Sequence, residues 1–427
     1  MASEYLARPS CPEGIVRVAV LGGGITGACV ALELSERGVA VDLYEQDSQI
    51  ISRASYWNEG KIHLGLVYAQ DRSRKTARTM VEGALRFRPL LERWIETAVL
   101  DGATSDPFTY AVHRDTMVEP AAVEAHFRAV ADIHRDLSQR PGTGYITPFE
   151  GGLWERNDSR VTNSLFDNDE VIASYRTEER CIDPMVIALH LRSAVASAPN
   201  LRLRTGTTVV EIVRGSGNEY AVVSDDGARG GSETYDAVVN ALWQNRIGID
   251  ATLDLADRRP VLHRFKIGLH SASTLVPEDF PTVTFVLGPF GDTVNFGHRA
   301  YLSWYPACHL YTSEEMVPST PDSRFLKSDL RQVEAESLTA LGRLMPGQES
   351  WLRRSAGHWE IRGGYITAWG KTGIEDANSQ LHERFDVGAH SNGSYHSVNT
   401  GKYTLGPHLA ELVATRIQRK TLVRPSH

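Results

Sequence analysis

The chain has 427 residues, more than one hydrophobic core normally supports, so two domains are expected. It is 41% hydrophobic and 23% charged, and its net charge of -8 leaves no basic footprint for nucleic acid. No apolar run approaches the ~18 residues of a membrane span, and the first fourteen residues lack the apolar core of a signal peptide. Cys11, Cys29, Cys181 and Cys308 form no C-x-x-C pair, so free thiols and no metal site are expected in a reducing, cytoplasmic setting.

In chain order, Val18–Leu21 is a short continuous apolar run, as a strand buried on both faces requires. Gly22, Gly24 and Gly27 follow in G-x-G-x-x-G spacing and open an amphipathic helical pattern closed by Gly38. A second apolar segment, Val39–Leu43, runs into Glu45. Gly22 suits the tight turn, Gly24 the approach of backbone to a pyrophosphate, and Gly27 close packing of helix on strand. Ile25 and Thr26 open the helix whose N-terminus holds phosphate, and Glu45 is placed to accept from a ribose hydroxyl. This stretch alone does not distinguish one dinucleotide from another.

After Glu45 the chain is glycine-punctuated and aromatic as far as Asp71. Helical spacing returns over Ser73–Leu100, with Pro89 expected to kink or split it. A strand is expected at Phe108–Val112, a helix through Val123, Phe127, Val130, Ile133 and Leu137, and loop over Arg140–Asp169. Asp183-Pro184 has the N-cap and first-turn chemistry of a helix start. Leu201–Arg214, Tyr220–Ser224 and Tyr235–Leu242 read as strands, the last returning to the first sheet. From His263 four strand-like segments follow without intervening helices, which predicts an antiparallel sheet in a second domain. A helix at Ser328–Leu344 precedes a C-terminal glycine turn that opens a last helix at Pro407.

Three regions together resemble the FAD-dependent D-amino acid oxidase superfamily, which includes glycine oxidase, sarcosine oxidase, glycerol-3-phosphate dehydrogenase and L-2-hydroxyglutarate dehydrogenase. They are the N-terminal fingerprint, the segment Asn58-Glu59-Gly60-Lys61-Ile62-His63-Leu64-Gly65, and the turn and helix Gly401–Leu409. The resemblance implies an α/β fold with an α+β substrate domain: a Rossmann-type FAD-binding domain (14–92, 176–248, 355–427) interleaved with an antiparallel-sheet substrate domain (93–175, 249–354). It implies FAD contacts at Gly22, Gly24, Ile25, Thr26, Gly27, Glu45 and Gln46, then at Arg53, Ala54, Asn58, Gly60, Lys61 and Ile62. Further contacts are expected at Val209, Ala241, Gly401, Lys402, Tyr403 and Thr404, with the backbone of the glycine turn meeting the flavin's pyrimidine edge. Relatives with a covalent histidyl flavin carry a Trp-His pair where this chain has Tyr56 and Trp57, so noncovalent FAD is expected. A G-x-R-P arginine that clamps substrate carboxylates in many relatives is matched here by Gly357-His358-Trp359-Glu360, with tryptophan in the arginine's place, so either Arg362 substitutes or the substrate is not a simple α-amino acid.

The activity implied is oxidation of a small amine or amino acid by hydride transfer from the carbon bearing nitrogen, with oxygen or another acceptor reoxidising the flavin. The alternatives are a 2-hydroxyacid or polyol-phosphate dehydrogenase, and a flavin-binding protein without redox turnover. Lys61 is either a flavin-facing cation or a solvated loop lysine. His63 is either a base or a histidine satisfying a buried carbonyl. Alternation along a predicted strand RAYLSWYP puts Arg299, Tyr301 and Tyr305 on one face, where Arg299 clamps a carboxylate and the tyrosines wall the pocket; the alternative is an arginine in solvent. Arg264 and Lys266 make a similar pattern, ranked lower, and Glu383 and Arg384 read as a surface ion pair.

Overall fold

The computed structural model describes residues 16–422, apart from 218, 229, 272–275 and 320–322. Cys11, the first fourteen residues and the outer ends of the expected FAD domain (14–15 and 423–427) lie outside the described residues. Among those described, no helix is long and apolar enough to cross a membrane.

The apolar run after Val16 forms strand Arg17–Leu21 in the middle of a six-stranded sheet. The sheet order is Gly388–Asn392, Tyr395–Asn399, Ala237–Asn240, Arg17–Leu21, Ala40–Tyr44, Leu201–Arg204. All neighbours are parallel except the first pair. Helix Ile25–Glu36 packs on this sheet and against helices Pro184–Ser197 and Gly406–Leu422, so all three buried sides explain its almost uniformly buried residues. A three-stranded antiparallel meander, Thr208–Arg214, Tyr220–Asp225 and Gly230–Tyr235, sits beside it.

The second unit is a nine-stranded sheet, antiparallel except where Val283–Val286 runs parallel to Thr109–His113. Side chains alternate across it. Ile267, Leu269, Ala300 and Leu302 face helix Ser323–Leu344, whose Val333 and Leu341 complete a local core. Tyr110, Val294 and Tyr301 point the other way and join the main core shared with the dinucleotide-binding unit. Polar side chains on that same face therefore look into the joint between the two units.

Several elements depart from the periodicity reading. Pro89 neither kinks nor splits helix Lys75–Leu91; it lies in its last turn, and the Leu85 carbonyl that proline leaves free accepts the Gly144 N–H at 2.8 Å. Residues 201–214 form two strands in two sheets, broken by Gly206 at φ +64°. The expected loop 140–169 contains a strand, Trp154–Arg156, and a helix, Ser159–Leu165. Strand Trp359–Trp369, beyond the boundary drawn at 355, pairs along its whole length with Val261–Ser271 of the nine-stranded sheet.

Candidate active site

The site begins at the turn after strand Arg17–Leu21. Gly22 holds φ +95° and donates its N–H to Tyr44 O at 2.9 Å. A Cβ on Gly27 would stand 1.9 Å from Gly22 O, so no other residue lets the helix start this close to the strand. The helix N-terminus has no side-chain cap at Gly24; the Ile25 N–H donates to Ser55 Oγ at 3.1 Å. Glu45 accepts the Gly23 N–H on one oxygen and the Asp47 N–H on the other, both at 2.9 Å, and burial pushes its carboxyl up against those bonds. Each oxygen keeps acceptor capacity for a ligand hydroxyl. Arg53 is bound bidentate by Asp47 at 2.7 Å.

The central segment is held by turns and by its neighbours. Asn58 Nδ2 donates to Ala54 O and its Oδ1 accepts the Gly60 N–H. Gly60 has φ +71°, and a Cβ there would meet Ile182 O at 1.9 Å. Lys61–Ile62 pairs with Arg180–Cys181, and Tyr145 donates to Ile62 O at 2.8 Å. Thr404 Oγ1 donates to Lys61 O at 3.1 Å and accepts the His63 N–H at 3.0 Å, while Thr26 and Thr400 share a hydroxyl bond of 2.8 Å. Three threonines thus join the three segments that the fingerprint, the Asn58–Gly65 segment and the C-terminal turn supply.

Together they line a cavity that opens to solvent. Gly22, Gly24, Ile25, Thr26, Glu45, Gln46, Arg53, Ala54, Asn58, Val209, Ala241, Lys61, His63, Gly401, Lys402 and Tyr403 line it, with Ala241 beside Gly22. Gly27, Gly60, Ile62 and Thr404 lie behind the wall, where they set its shape. Arg299, Tyr301 and Tyr305 are not wall residues. A cavity with a glycine turn and helix N-terminus on its wall, and an acidic group beside that turn, fits a flavin dinucleotide. Trp243, which sequence reasoning passed over, also lines it at φ +54° and donates Nε1 to Tyr365 O across the joint at 2.7 Å.

The inner end is dominated by buried cations. Lys61 Nζ donates to Asp292 at 2.7 Å and to Thr284, and stands 4.1 Å from the Phe108 ring centroid. Burial alone would lower the Lys61 pKa, but Asp292 and Glu179 reverse this and keep it charged. Burial likewise works against the Asp292 anion, and Lys61 with Lys266 overcomes it, bringing Asp292 to about 2. Glu179, pushed up by burial, accepts from Tyr110 and from the Leu64 N–H. His63 is held well below its ordinary pKa by burial and by Lys402, Lys61 and Arg384, so its ring is neutral; its buried Nδ1 has no hydrogen-bond partner. Lys402 forms no ion pair among the described residues, and burial brings it down to about 8. Its N–H turns back to Thr400 O at 2.7 Å, and the residue lines the cavity.

The expected carboxylate clamp is occupied. Arg299 lies just before strand Ala300–Trp304 and grips Asp183, the N-cap of helix Pro184–Ser197, with Nε at 2.7 Å and a second nitrogen on the other oxygen. Asp183 is held far below the usual carboxylate range: burial opposes its charge, but His298 and Arg299 outweigh it. Tyr301 lies against Gly268 and edge-on to His270, whose ring burial lowers to about 3. Tyr305 falls in a short helical turn after the strand and accepts from Arg264 Nη1 at 2.5 Å. Arg362 pairs with Glu360 at the surface. Arg384, expected at the surface, is 5% exposed instead, because the segment around it folds inward under Leu381. Tyr395 and His396 belong to the central sheet, away from the cavity wall.

Comparison with known proteins agrees with this architecture. A structure of glycine oxidase from Geobacillus kaustophilus superposes with a TM-score of 0.66 at 16% identity, covering 95% of each chain. L-proline dehydrogenase from P. horikoshii gives 0.63 at 16% identity, covering 95% of this chain and 94% of that one. L-alpha-glycerophosphate oxidase from Mycoplasma pneumoniae, with FAD bound, gives 0.63 at 12% identity over 95% of each. At these identities the likeness is one of fold. A 46-residue match to the tRNA 5-methylaminomethyl-2-thiouridine biosynthesis bifunctional protein MnmC of Shewanella denitrificans is 48% identical but spans 11% of this chain and 6% of that protein. The family model for FAD dependent oxidoreductases, DAO, matches residues 17–416, and the chain belongs to that family.

Proposed function

We propose that the protein oxidises a small amine or amino acid at the carbon bearing nitrogen, with noncovalent FAD. The observation that carries this reading is the inner end of the cavity, where buried cations outnumber carboxylates beside a neutral histidine. Gly22, Gly24 and the helix N-terminus would hold the pyrophosphate, Glu45 the ribose, and Asn58–His63 with Gly401–Tyr403 the reactive ring. Bound there, FAD supplies the two-electron oxidation and passes the electrons to oxygen or another acceptor. Lys61 contributes a positive charge fixed by Asp292 and Thr284, which needs no reorganisation when negative charge develops nearby. Neutral His63, which lines this end, can orient the substrate's amine by a hydrogen bond. The absence of histidine at Tyr56 and Trp57 supports noncovalent attachment.

Oxidation of a 2-hydroxy acid or polyol phosphate is the second reading, favoured by the Asn58–Gly65 segment, since His63 would orient a hydroxyl equally well. Anaerobic mixing with amino acids, N-methyl amines, 2-hydroxy acids and polyol phosphates separates the two. Bleaching of the flavin by amines is expected; bleaching by the hydroxyl compounds alone would overturn the amine reading.

A further inference from the structure

Five non-glycine residues among those described hold a left-handed φ. Asn200 and Asp254 are of the types that adopt it in turns, and Arg74 is the N-cap of helix Lys75–Leu91. The other two, Ile51 at φ +51° and Trp243 at φ +54°, are β-branched and bulky, and both line the cavity. Such a side chain costs conformational energy there that glycine would not, and it persists only where its surroundings over-determine it.

Both residues are fixed from the glycine turn. Ile51 donates its N–H to Gly23 O at 2.8 Å, and Arg192 donates to Ile50 O at 2.9 Å and to Ile51 O at 2.8 Å. Next to Gly22, the Ala241 N–H donates to Leu21 O at 2.9 Å, and a Cβ on Gly22 would stand 2.8 Å from Ala241 O. Buried Asn240 accepts the Leu242 N–H on Oδ1 at 3.3 Å, while its Nδ2 donates to Arg246 O and to Asp250, both at 2.9 Å. Trp243 then reaches out of this unit to Tyr365 O at 2.7 Å. Tyr365 and Ile366 are wall residues carried by strand Trp359–Trp369 of the nine-stranded sheet. Beside them Gly364 is pressed so close to Ala54 that a Cβ would stand 2.7 Å from its side chain. Residues 364–366 thus meet the dinucleotide-binding unit at two cavity-wall residues, Ala54 and Trp243. One neutral hydrogen bond returns no more than a strained backbone of this kind costs, so the Trp243–Tyr365 tie is not kept shut by its own bond.

We propose that Trp243 is a cofactor latch: with Ile51 it closes on FAD beside the glycine turn, and contact with the cofactor keeps the strained tie to Tyr365 shut. Cofactor occupancy then holds strand Trp359–Trp369, and the sheet it belongs to, onto the dinucleotide-binding unit. The substrate's side of the cavity is complete only when the cofactor is in place. The proposal rests on the FAD reading and is independent of which substrate is oxidised.

Amide hydrogen exchange of wild type with and without FAD tests the latch, beside the same pair for Trp243→Phe, which keeps a ring but loses the N–H. In wild type, FAD should slow exchange across residues 359–369 at least about tenfold, well beyond Tyr365 and Ile366 themselves. Trp243→Phe should lose most of that protection and release FAD at least about tenfold faster, with the two apoproteins exchanging alike. A merely structural tie would loosen apoprotein and holoenzyme together. Apoprotein carrying Trp243→Gly should melt above apoprotein carrying Trp243→Ala, because only glycine relieves the left-handed backbone. Protection confined to Tyr365 and Ile366, a Trp243→Phe variant that matches wild type, or an alanine variant melting at or above the glycine one would overturn the proposal. If the variants do not fold, the wild-type pair decides alone. Wild type that cannot be loaded with FAD would sink the cofactor reading itself, whereas loaded wild type without the added protection would sink only the latch.

Discussion

At the Gly22 end of the cavity the protein meets its ligand with backbone and one carboxylate, all drawn from residues 22–45. At the Lys61 end the wall carries Lys61 and His63 from one unit, and Asp292 and Thr284 from the other hold Lys61 in place. The first end is local in sequence and tolerates no Cβ at its closest contact. The second depends on how two sheets are joined, and its charges are set by neighbours more than two hundred residues away, as the Lys61–Asp292 pair shows. On the proposed reading, cofactor capture and substrate choice draw on different parts of the fold, and mutations should divide along that line.

The largest expected effect is at the joint. Arg299→Ala leaves the buried Asp183 carboxylate with only His298 and the Met185 N–H and should cost about 3–5 kcal/mol, measured by chemical denaturation. A stable variant with altered substrate affinity alone would put Arg299 in the pocket instead. Gly27→Val should abolish FAD binding, since its Cβ cannot coexist with Gly22 O at 1.9 Å; the flavin-to-protein absorbance ratio reads this directly.

A pH series separates the Lys402 charge from the rest. Its pKa falls from the ordinary 10.5 to about 8, so between those values the unfolded chain carries a proton the folded apoprotein has released. Stability of the apoprotein should therefore rise with pH in that window, by at most about 1.4 kcal/mol per pH unit, and Lys402→Met should remove that contribution. At the other end, Glu45→Gln keeps the shape but loses the charged acceptor, and should weaken FAD about tenfold without changing which substrate reduces it. Arg362→Ala, at an exposed ion pair, should stay within about 0.5 kcal/mol of wild type in stability and leave substrate affinity unchanged.

Legibility in the sequence follows the same division. Gly22, Gly24, Gly27 and Glu45 announce themselves because a strand, a tight turn and a helix need those residues at fixed spacing. Asn58–Gly65 and Gly401–Thr404 were legible by family pattern. Asp292 and Thr284 carry no such mark: their hold on Lys61 comes from nonlocal sheet pairing, and the burial of Arg384 from a loop that folds inward, neither of which periodicity reports. Arg299 misleads for the same reason. Its strand neighbours predict a pocket face, but its partner Asp183 is an N-cap in a distant helix, and ends up beside it only once the two units join.

The most direct test of the cavity's assignment is the identity and attachment of its cofactor. The purified protein, reconstituted if needed, is precipitated with acid and the supernatant analysed for flavin. FAD, close to one per chain and wholly released into the supernatant, is the predicted result; a colourless protein that cannot be reconstituted, or flavin retained in the pellet, would contradict it.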